Sequence, residues 1–336
     1  MIGRVLAAVL LLVAAAVLFV AVWPQAFGLQ SAPVIAQVVA LRGLDVAIAL
    51  GLIVVFGLIA LGVRPLRRFL GSLVVLLLAF CVVSVAILGV RGFGGPAGAG
   101  AASDVTVLEW NTAGGAPGAD RIAKLALAEH ADVVSLPETT QDTGYQVAEI
   151  MKAAGRPMWV YSGANGYVYK SHSTTLLISA SLGQYHVDTS VGDTSVLASI
   201  VAVPDNGTGP TFVAVHAVSP KPQEMRNWRA DLAFLAQRCT GANLIMAGDF
   251  NSTLDELDSL SGESGANFGD CSDAGAAGKS ASIGSWPTSL PALLGAQIDH
   301  VMYTSAWQTV SFQVIQTEDQ AGSDHRPVVA VLAPAD

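Results

Sequence analysis

Three uncharged apolar runs fill most of the first ninety residues: 5–23, 46–63 and 69–90. Each is close to or above the ~20 residues a helix needs to cross a bilayer core. Each is apolar on all sides, whereas a helix at the surface of a soluble domain carries a polar stripe. The pattern predicts an all-α membrane region over residues 1–91, with spans at about 5–23, 46–63 and 69–90. Arg4 gives the first run the basic start of a signal peptide. Its apolar stretch exceeds the ~7–15 residues usual for one, which favours a retained anchor. Residues 34–45 mix Gln37, Arg42 and Asp45 with apolar residues; they either lie at the interface or extend the second helix.

Charge divides the chain at the same place. Residues 1–100 hold six Arg, no Lys and one acid, Asp45; of 17 basic and 26 acidic residues overall, 11 and 25 fall in 101–336, leaving the parts near +5 and −14. The short link "RPLRR" (64–68) carries three Arg between the second and third runs. Basic short loops stay in the cytoplasm, so everything after about residue 91 is expected outside. "GFGGPAGAGAAS" (92–103) lacks periodicity and reads as a flexible tether. Cys81 lies inside the third run as a small apolar filler. Cys239 and Cys271 are the two cysteines of the outer part, and in an oxidising compartment they are expected to pair, closing a loop around Asp249.

Residues 104–336 alternate strand and helix patterns. "VTVLEWN" (105–111), "ADVVSLPE" (131–138), "TTLLISA" (174–180), "SVLASIVAV" (195–203), "TFVAVHA" (211–217), "NLIMAGDFN" (243–251), "IDHVMYT" (298–304) and "PVVAVLA" (327–333) read as strands. Residues 121–130 and 221–239 read as helices, the second with Trp228, Leu232 and Leu235 on one face. More strands than helices, interleaved, predict an α/β or α+β layered fold.

Asn111, Glu138, His216, Asp249, Asn251 and Asp299 all sit at or beside strand ends, and Asp324 and His325 immediately precede the last strand. Strand ends gather along one sheet edge, where such folds build sites. A two-residue repeat would put Asp249 and Asn251 on one side of their strand; an Asx turn is the bland reading of the same pair.

In this order, "LEWNT" (108–112), "DVVSLPET" (132–139), "VAVHAVSP" (213–220), "MAGDFNST" (246–253), "QIDHVMY" (297–303) and "GSDHRPVV" (322–329) resemble the endonuclease/exonuclease/phosphatase superfamily over about residues 104–334. That superfamily includes pancreatic-type deoxyribonucleases, apurinic endonucleases, neutral sphingomyelinases and inositol polyphosphate 5-phosphatases. The resemblance implies a four-layer sandwich of two packed β-sheets flanked by helices, a divalent metal (Mg2+, with Mn2+ the alternative) and cleavage of a phosphate ester. It implies Glu138 as principal metal ligand, with Asn111 positioning metal or phosphate and Asp324 near the metal's water shell. It implies Asp249 and Asn251 on the attacking water and scissile phosphate, and His216 as the phosphate-binding or acid histidine. Asp299 would orient His325. Either Asp249 or the Asp299–His325 pair takes the water's proton, and the pair is the expected base.

Pro137 stands where the family usually has Gln. The second Glu that supports the upstream histidine in pancreatic-type enzymes has no counterpart between Tyr161 and Ser179. His300 reads as structural, and Trp286 as pocket wall or core. Lys221, Arg226 and Arg229 form either a local basic groove or, preferably, the solvated face of a helix. A domain near −14 repels a long polyanion. Phospholipid head groups or small phosphoesters are therefore favoured over nucleic acid, the bilayer itself being the expected partner; no protein partner is implied. A catalytically inactive, membrane-tethered scaffold is the alternative.

Overall fold

The computed structural model describes residues 2–95, 98, 100–164, 169–262 and 266–335. The N-terminal part forms α1 (Ile2–Val22), α2 (Ile35–Ala40), α3 (Arg42–Gly62) and α4 (Arg67–Arg91). With 21, 21 and 25 residues, α1, α3 and α4 are long and apolar enough to cross a membrane. Cys81 packs with Ala49, Leu77 and Phe80 where they meet, the filler role expected of it. Residues 34–45 divide between the two expectations. Residues 35–40 form the separate α2, the chain breaks at Leu41, and 42–45 open α3.

The remainder runs β1 (Val105–Glu109), α5 (Ala119–Ala128), β2 (Val133–Pro137), α6 (Gln141–Ala153), β3 (Met158–Ala164), β4 (Ser173–Ser179), β5 (Tyr185–Val187), β6 (Ile200–Pro204), β7 (Thr211–His216), α7 (Met225–Arg238), β8 (Leu244–Asp249), α8 (Leu254–Leu257), β9 (Ser272–Asp273), β10 (Asp299–Tyr303), β11 (Trp307–Val314) and β12 (Val328–Pro334). One sheet has the order β11-β12-β1-β2-β4-β3 and the other β5-β6-β7-β8-β10-β9. β1 and β2 are parallel, as are β7 and β8; the other pairings are antiparallel. These are the mixed sheets of a four-layer α/β sandwich.

Alternation along each strand builds the layers. Val105, Val107, Leu176, Ile178, Phe212, Ala214, Ile245 and Ala247 fill the space between the sheets. Leu108, Trp110, Val134 and Leu136 face outward onto Ile122 and Ala126 of α5 and Val147 and Met151 of α6. Val213, Val215 and Met246 face Trp228, Leu232 and Leu235 of α7. The Cys239–Cys271 disulfide lies in this last layer and closes a loop containing β8 and α8.

One expected strand is shorter than its sequence pattern. Residues 195–199 are not paired in a sheet, and β6 begins at Ile200. Asp231 accepts from Ser195 N and Oγ, each at 2.6 Å, and Asp193 from Ser199 N at 2.7 Å. Two carboxylates thus satisfy donors that a strand would have given to a neighbour.

The N-terminal helices dock on the sandwich through a buried ion triad. Asp255 in α8 accepts from Arg42 Nη2 at 2.9 Å and Arg91 Nη1 at 2.8 Å. It also receives Gln25 Nε2 at 3.2 Å. Both arginines hold this carboxyl below the ordinary aspartate range against the opposing effect of burial. The start of α3 and the end of α4 therefore share one end of the bundle, and the turn at 64–68 lies at the other, about 30 Å away along the helices. Gly43 meets the Leu293 carbonyl so closely that any Cβ would overlap it. Arg226 and Arg229 are exposed on α7, the solvated face expected of them, and Arg229 also donates to Ser31 O at 2.9 and 2.7 Å, which ties down the α1–α2 connection.

The tether also differs from expectation at its start. Gly94 N donates to Lys279 O at 2.9 Å, and Ala281 N and Ser282 N donate to Arg91 O and Gly92 O. Residues 92–95 are thereby pinned to the sandwich; Pro96, Ala97 and Ala99 lie outside the described residues.

Asp255→Asn leaves two buried cations without an anion, and thermal unfolding of the full chain in detergent is expected to report a loss of about 3–5 kcal/mol. Replacing Cys239 and Cys271 together with Ser should cost about 3–4 kcal/mol in the same assay, from the freed loop between them.

Candidate active site

At one end of the sandwich the inward-facing positions stop being apolar. Glu109 continues the face of Val105 and Val107, Thr174 that of Leu176 and Ile178, His216 that of Phe212 and Ala214, and Asp249 that of Ile245 and Ala247. Both sheets contribute, and their polar ends meet under a cavity of about 450 Å3. Glu138, His216, Asp249, Asn251, Asp324 and His325 line it. Asn111 and Asp299 lie buried in its wall. All eight residues singled out from the sequence are thus in one place.

Backbone conformation helps to assemble them. Glu138 and Asn251 have φ of 56° and 48°, and Ala113, two residues after Asn111, has 48°. Non-glycine residues in this region are uncommon and concentrate where surrounding contacts enforce them. Here β8 ends at Asp249, so a strand repeat does not bring Asn251 beside it. A turn does: Asn251 N donates to Asp249 Oδ1 at 2.8 Å and Asn251 Nδ2 to Oδ2 at 3.0 Å. The Asx-turn reading and the shared pocket therefore describe the same geometry.

Asn111 Nδ2 donates to Asp249 Oδ2 at 3.0 Å and reaches Glu138 Oε1 at 3.5 Å, joining the two carboxylates. His325 Nδ1 lies 2.9 Å from Asp299 Oδ2 and 3.1 Å from Oδ1, and its Nε2 is 3.8 Å from Asp249 Oδ2. Ser323 and Trp110 hold the His325 backbone; Trp110 Nε1 donates to His325 O at 2.9 Å and Ser323 Oγ accepts from His325 N at 3.0 Å. Buried Arg326 pairs with Asp319 and donates to the carbonyls of Gly284, Pro287 and Leu290, fixing the loop that carries Trp286. Trp286 walls the cavity and donates Nε1 to Asp324 Oδ2 at 3.0 Å. His300 spends both ring nitrogens on Asp273 and the Ser252 carbonyl, which makes it structural, as the sequence suggests.

Burial sets the protonation of this cluster. It lifts the Asp249 carboxyl to about 7, with the Asp299 charge adding to the effect and His325 opposing it. Burial alone would lower His325, but the Asp299 and Asp249 carboxylates raise it to about 10. Burial also raises Glu138. His216 goes the other way, down to about 3, through burial and the nearby His325 and His172. Its Nδ1 is 3.4 Å from Thr174 Oγ1. A neutral hydroxyl thus stands beside the upstream histidine in place of the supporting Glu, and no carboxylate among the described residues bonds its ring.

Glu109 is the site residue that sequence reasoning missed. It is fully buried, and no donor among the described residues bonds its carboxyl oxygens. Burial and the Asp299 and Asp249 charges hold it well above the ordinary glutamate range. The signal was present: an acid in phase with Val105 and Val107 on a core face.

Among the described residues, Asp249, Asp299 and His325 place ligand atoms within 4.8 Å of one another. Asp299 and His325 already bond each other and Asp249 accepts from Asn111 and Asn251, so Glu138, with one long contact from Asn111, is the least committed of these carboxylates toward the cavity. Glu138, Glu224, Asp249 and Asp324 line this cavity, with Asp299 behind His325, against two cations, His325 and Lys221. This acidic, oxygen-rich set fits a divalent cation.

A fold and site of this kind define a phosphoester hydrolase. The Endonuclease/Exonuclease/phosphatase family model matches residues 108–325, and the chain belongs to that family. The structure is similar to an endonuclease/exonuclease/phosphatase from Beutenbergia cavernae DSM 12333 (19% identity, 69% of this chain and 72% of that chain, TM-score 0.53). It is also similar to humanized D. rerio TDP2 (17%, 69% and 99%, 0.53) and to D. rerio TDP2 complexed with single strand DNA product (18%, 68% and 99%, 0.52). No match is found among curated protein sequences.

A dication bound in this cavity would compete with the protons that burial holds on Glu138 and Asp249, so calorimetric titration with Mn2+ should show a plateau of affinity above pH about 7. Below it, affinity is expected to fall about tenfold per pH unit as a proton competes for the site.

Proposed function

We propose that this chain is a membrane-anchored, divalent-metal-dependent hydrolase of phosphate esters working outside the cytoplasm, on a phospholipid head group or a small phosphoester. The convergence of Glu138, Asp249, Asn251, His216 and His325 on one cavity carries the reading. The complete set argues against an inactive scaffold.

Glu138 would hold Mg2+, or Mn2+ in its place, with Asn111 alongside and Asp324 at the water shell, which leaves Asp249 for the water. When bound, the metal supplies charge neutralisation at the phosphate and the departing oxygen. Asn251 and Asp249 orient a water. Its oxygen bonds phosphorus, one P–O ester bond breaks, and the water's proton passes to Asp249 while the departing oxygen takes one from solvent. Asp249, lifted to about 7, is suited to that role. His325 was the expected base, but at about 10 its ring already carries the proton. It serves instead as a cation for the charge growing on the phosphoryl oxygens, held in orientation by Asp299. Neutral His216 donates a hydrogen bond to the phosphate.

Orientation rests on the arginines. Arg64, Arg67 and Arg68 at one end of the bundle mark the cytoplasmic side. Arg42 and Arg91 lie at the other, two against three, and Asp255 offsets one of their charges. The disulfide agrees with export. One D. rerio TDP2 structure holds a single strand DNA product. Here the cavity offers one lysine, Lys221, in a domain near −14, which disfavours long nucleic acid.

The test is hydrolysis by the full-length protein with Mg2+ or EDTA, offering sphingomyelin, phosphatidylinositol phosphates, DNA and a generic phosphodiester. EDTA-sensitive cleavage of a lipid or small ester is expected. Asp249→Asn should lower kcat about 100- to 10,000-fold and His325→Ala about 100- to 1,000-fold. Absence of EDTA-sensitive cleavage on every substrate would return the scaffold reading.

A further inference from the structure

Beside the polar cavity lies a second one of about 270 Å3 with an almost wholly apolar lining. One wall is α2, through Ala36, Gln37, Ala40 and Leu41; the other includes Pro220 and Ile298 of the sandwich. The two cavities share Ser219, Lys221, Asn251 and Trp286, so a single molecule can occupy both. We propose that the apolar trough under α2 holds the hydrocarbon chain of a membrane-lipid phosphoester whose phosphate sits in the catalytic cavity. This rests on the phosphoesterase reading above and deepens it.

The construction of α2 supports the assignment. The helix stands between the end of α1 and the start of α3, where the long apolar helices meet the sandwich. Gln37 Nε2 ties it to Pro220 O and lies 3.6 Å from Met225 Sδ, beside the loop that carries Lys221. Arg42, at the far end of α2, is locked to Asp255 four residues past Asn251. The trough therefore opens beside the lipid-facing helices and has one rigid wall from each part of the chain.

Its chemistry selects the occupant. Apart from Gln37, Glu256 and the polar residues shared with the catalytic cavity, the trough offers only apolar surface, so most hydroxyls and amines of a sugar or base placed in it would go unpaired, at a cost of about 1–3 kcal/mol each. A hydrocarbon chain leaves no such group unpaired along that surface. Lys221, at the junction, provides a cation for the phosphate. Gln37 Oε1 is buried without a partner among the described residues, an acceptor suited to the hydroxyl or amide N–H of a lipid's linking region.

The experiment uses full-length protein and p-nitrophenyl phosphodiesters bearing a methyl, butyl or octyl group on the second ester oxygen, below their micellar concentrations, with p-nitrophenol release as readout. KM is expected to fall at least tenfold from methyl to octyl. Ala40→Trp, which fills the trough, should abolish that gain and leave turnover of the methyl ester within twofold. Octyl preference that survives Ala40→Trp, or wild-type protein indifferent to chain length, would overturn the trough while leaving the hydrolase standing. No EDTA-sensitive release from any ester would overturn both. If Ala40→Trp loses the methyl ester too, an octyl phosphate with a terminal diazirine on the unaltered chain decides. Adducts on residues 36–41 support the trough, and adducts confined to other segments reject it.

Discussion

The hydrogen bond from Asn111 to Asp249 joins the ends of strands in different sheets. β1 brings Asn111 and β8 brings Asp249, so the site exists only while the two inner faces remain in register across the core. That core is apolar along most of its depth and polar at its last positions. The same packing that excludes water from Phe212 and Ile245 also strips it from Asp249, His216 and Glu109. Burial is thus the common cause of the raised carboxyls and of the lowered His216. His325 escapes that direction because two carboxylates face it.

A second constraint acts through Asp255. This residue belongs to the short helix that follows the turn from Asp249 to Asn251, yet its partners come from α3 and α4. Removing Asp255 leaves two buried cations uncompensated, so the triad specifies one docking arrangement more than it adds stability. The consequence is positional. With Arg42 fixed, α2 is held against the catalytic loop at Pro220 and Met225, and an apolar wall stands next to a polar cavity. The part of the chain built for lipid and the part built for phosphate thereby share a surface.

Much of this was legible in the residues. The long apolar helices, the layered fold and the chain order of site residues follow from local patterns that physics makes hard to misread. Where reading fell short, hydrogen bonds from outside the segment had overridden the local pattern. Residues 195–199 look like strand, but Asp193 and Asp231 take their donors. Residues 92–95 look like free linker, but their partners lie near Lys279. The Thr174 that replaces a supporting Glu, and the role of Glu109, depended on which strands oppose one another across the sandwich.

The sequence by itself determined the elements and their chemistry: which segments are apolar all round, which alternate, and which strand ends carry carboxylates, amides and imidazoles. These depend on periodicity and residue type within a few neighbours. Only the tertiary structure decided protonation, partnership and the meeting of the trough with the cavity. Each of those is set by desolvation and by charges brought together from distant positions, and no local window of the chain contains both members of such a pair.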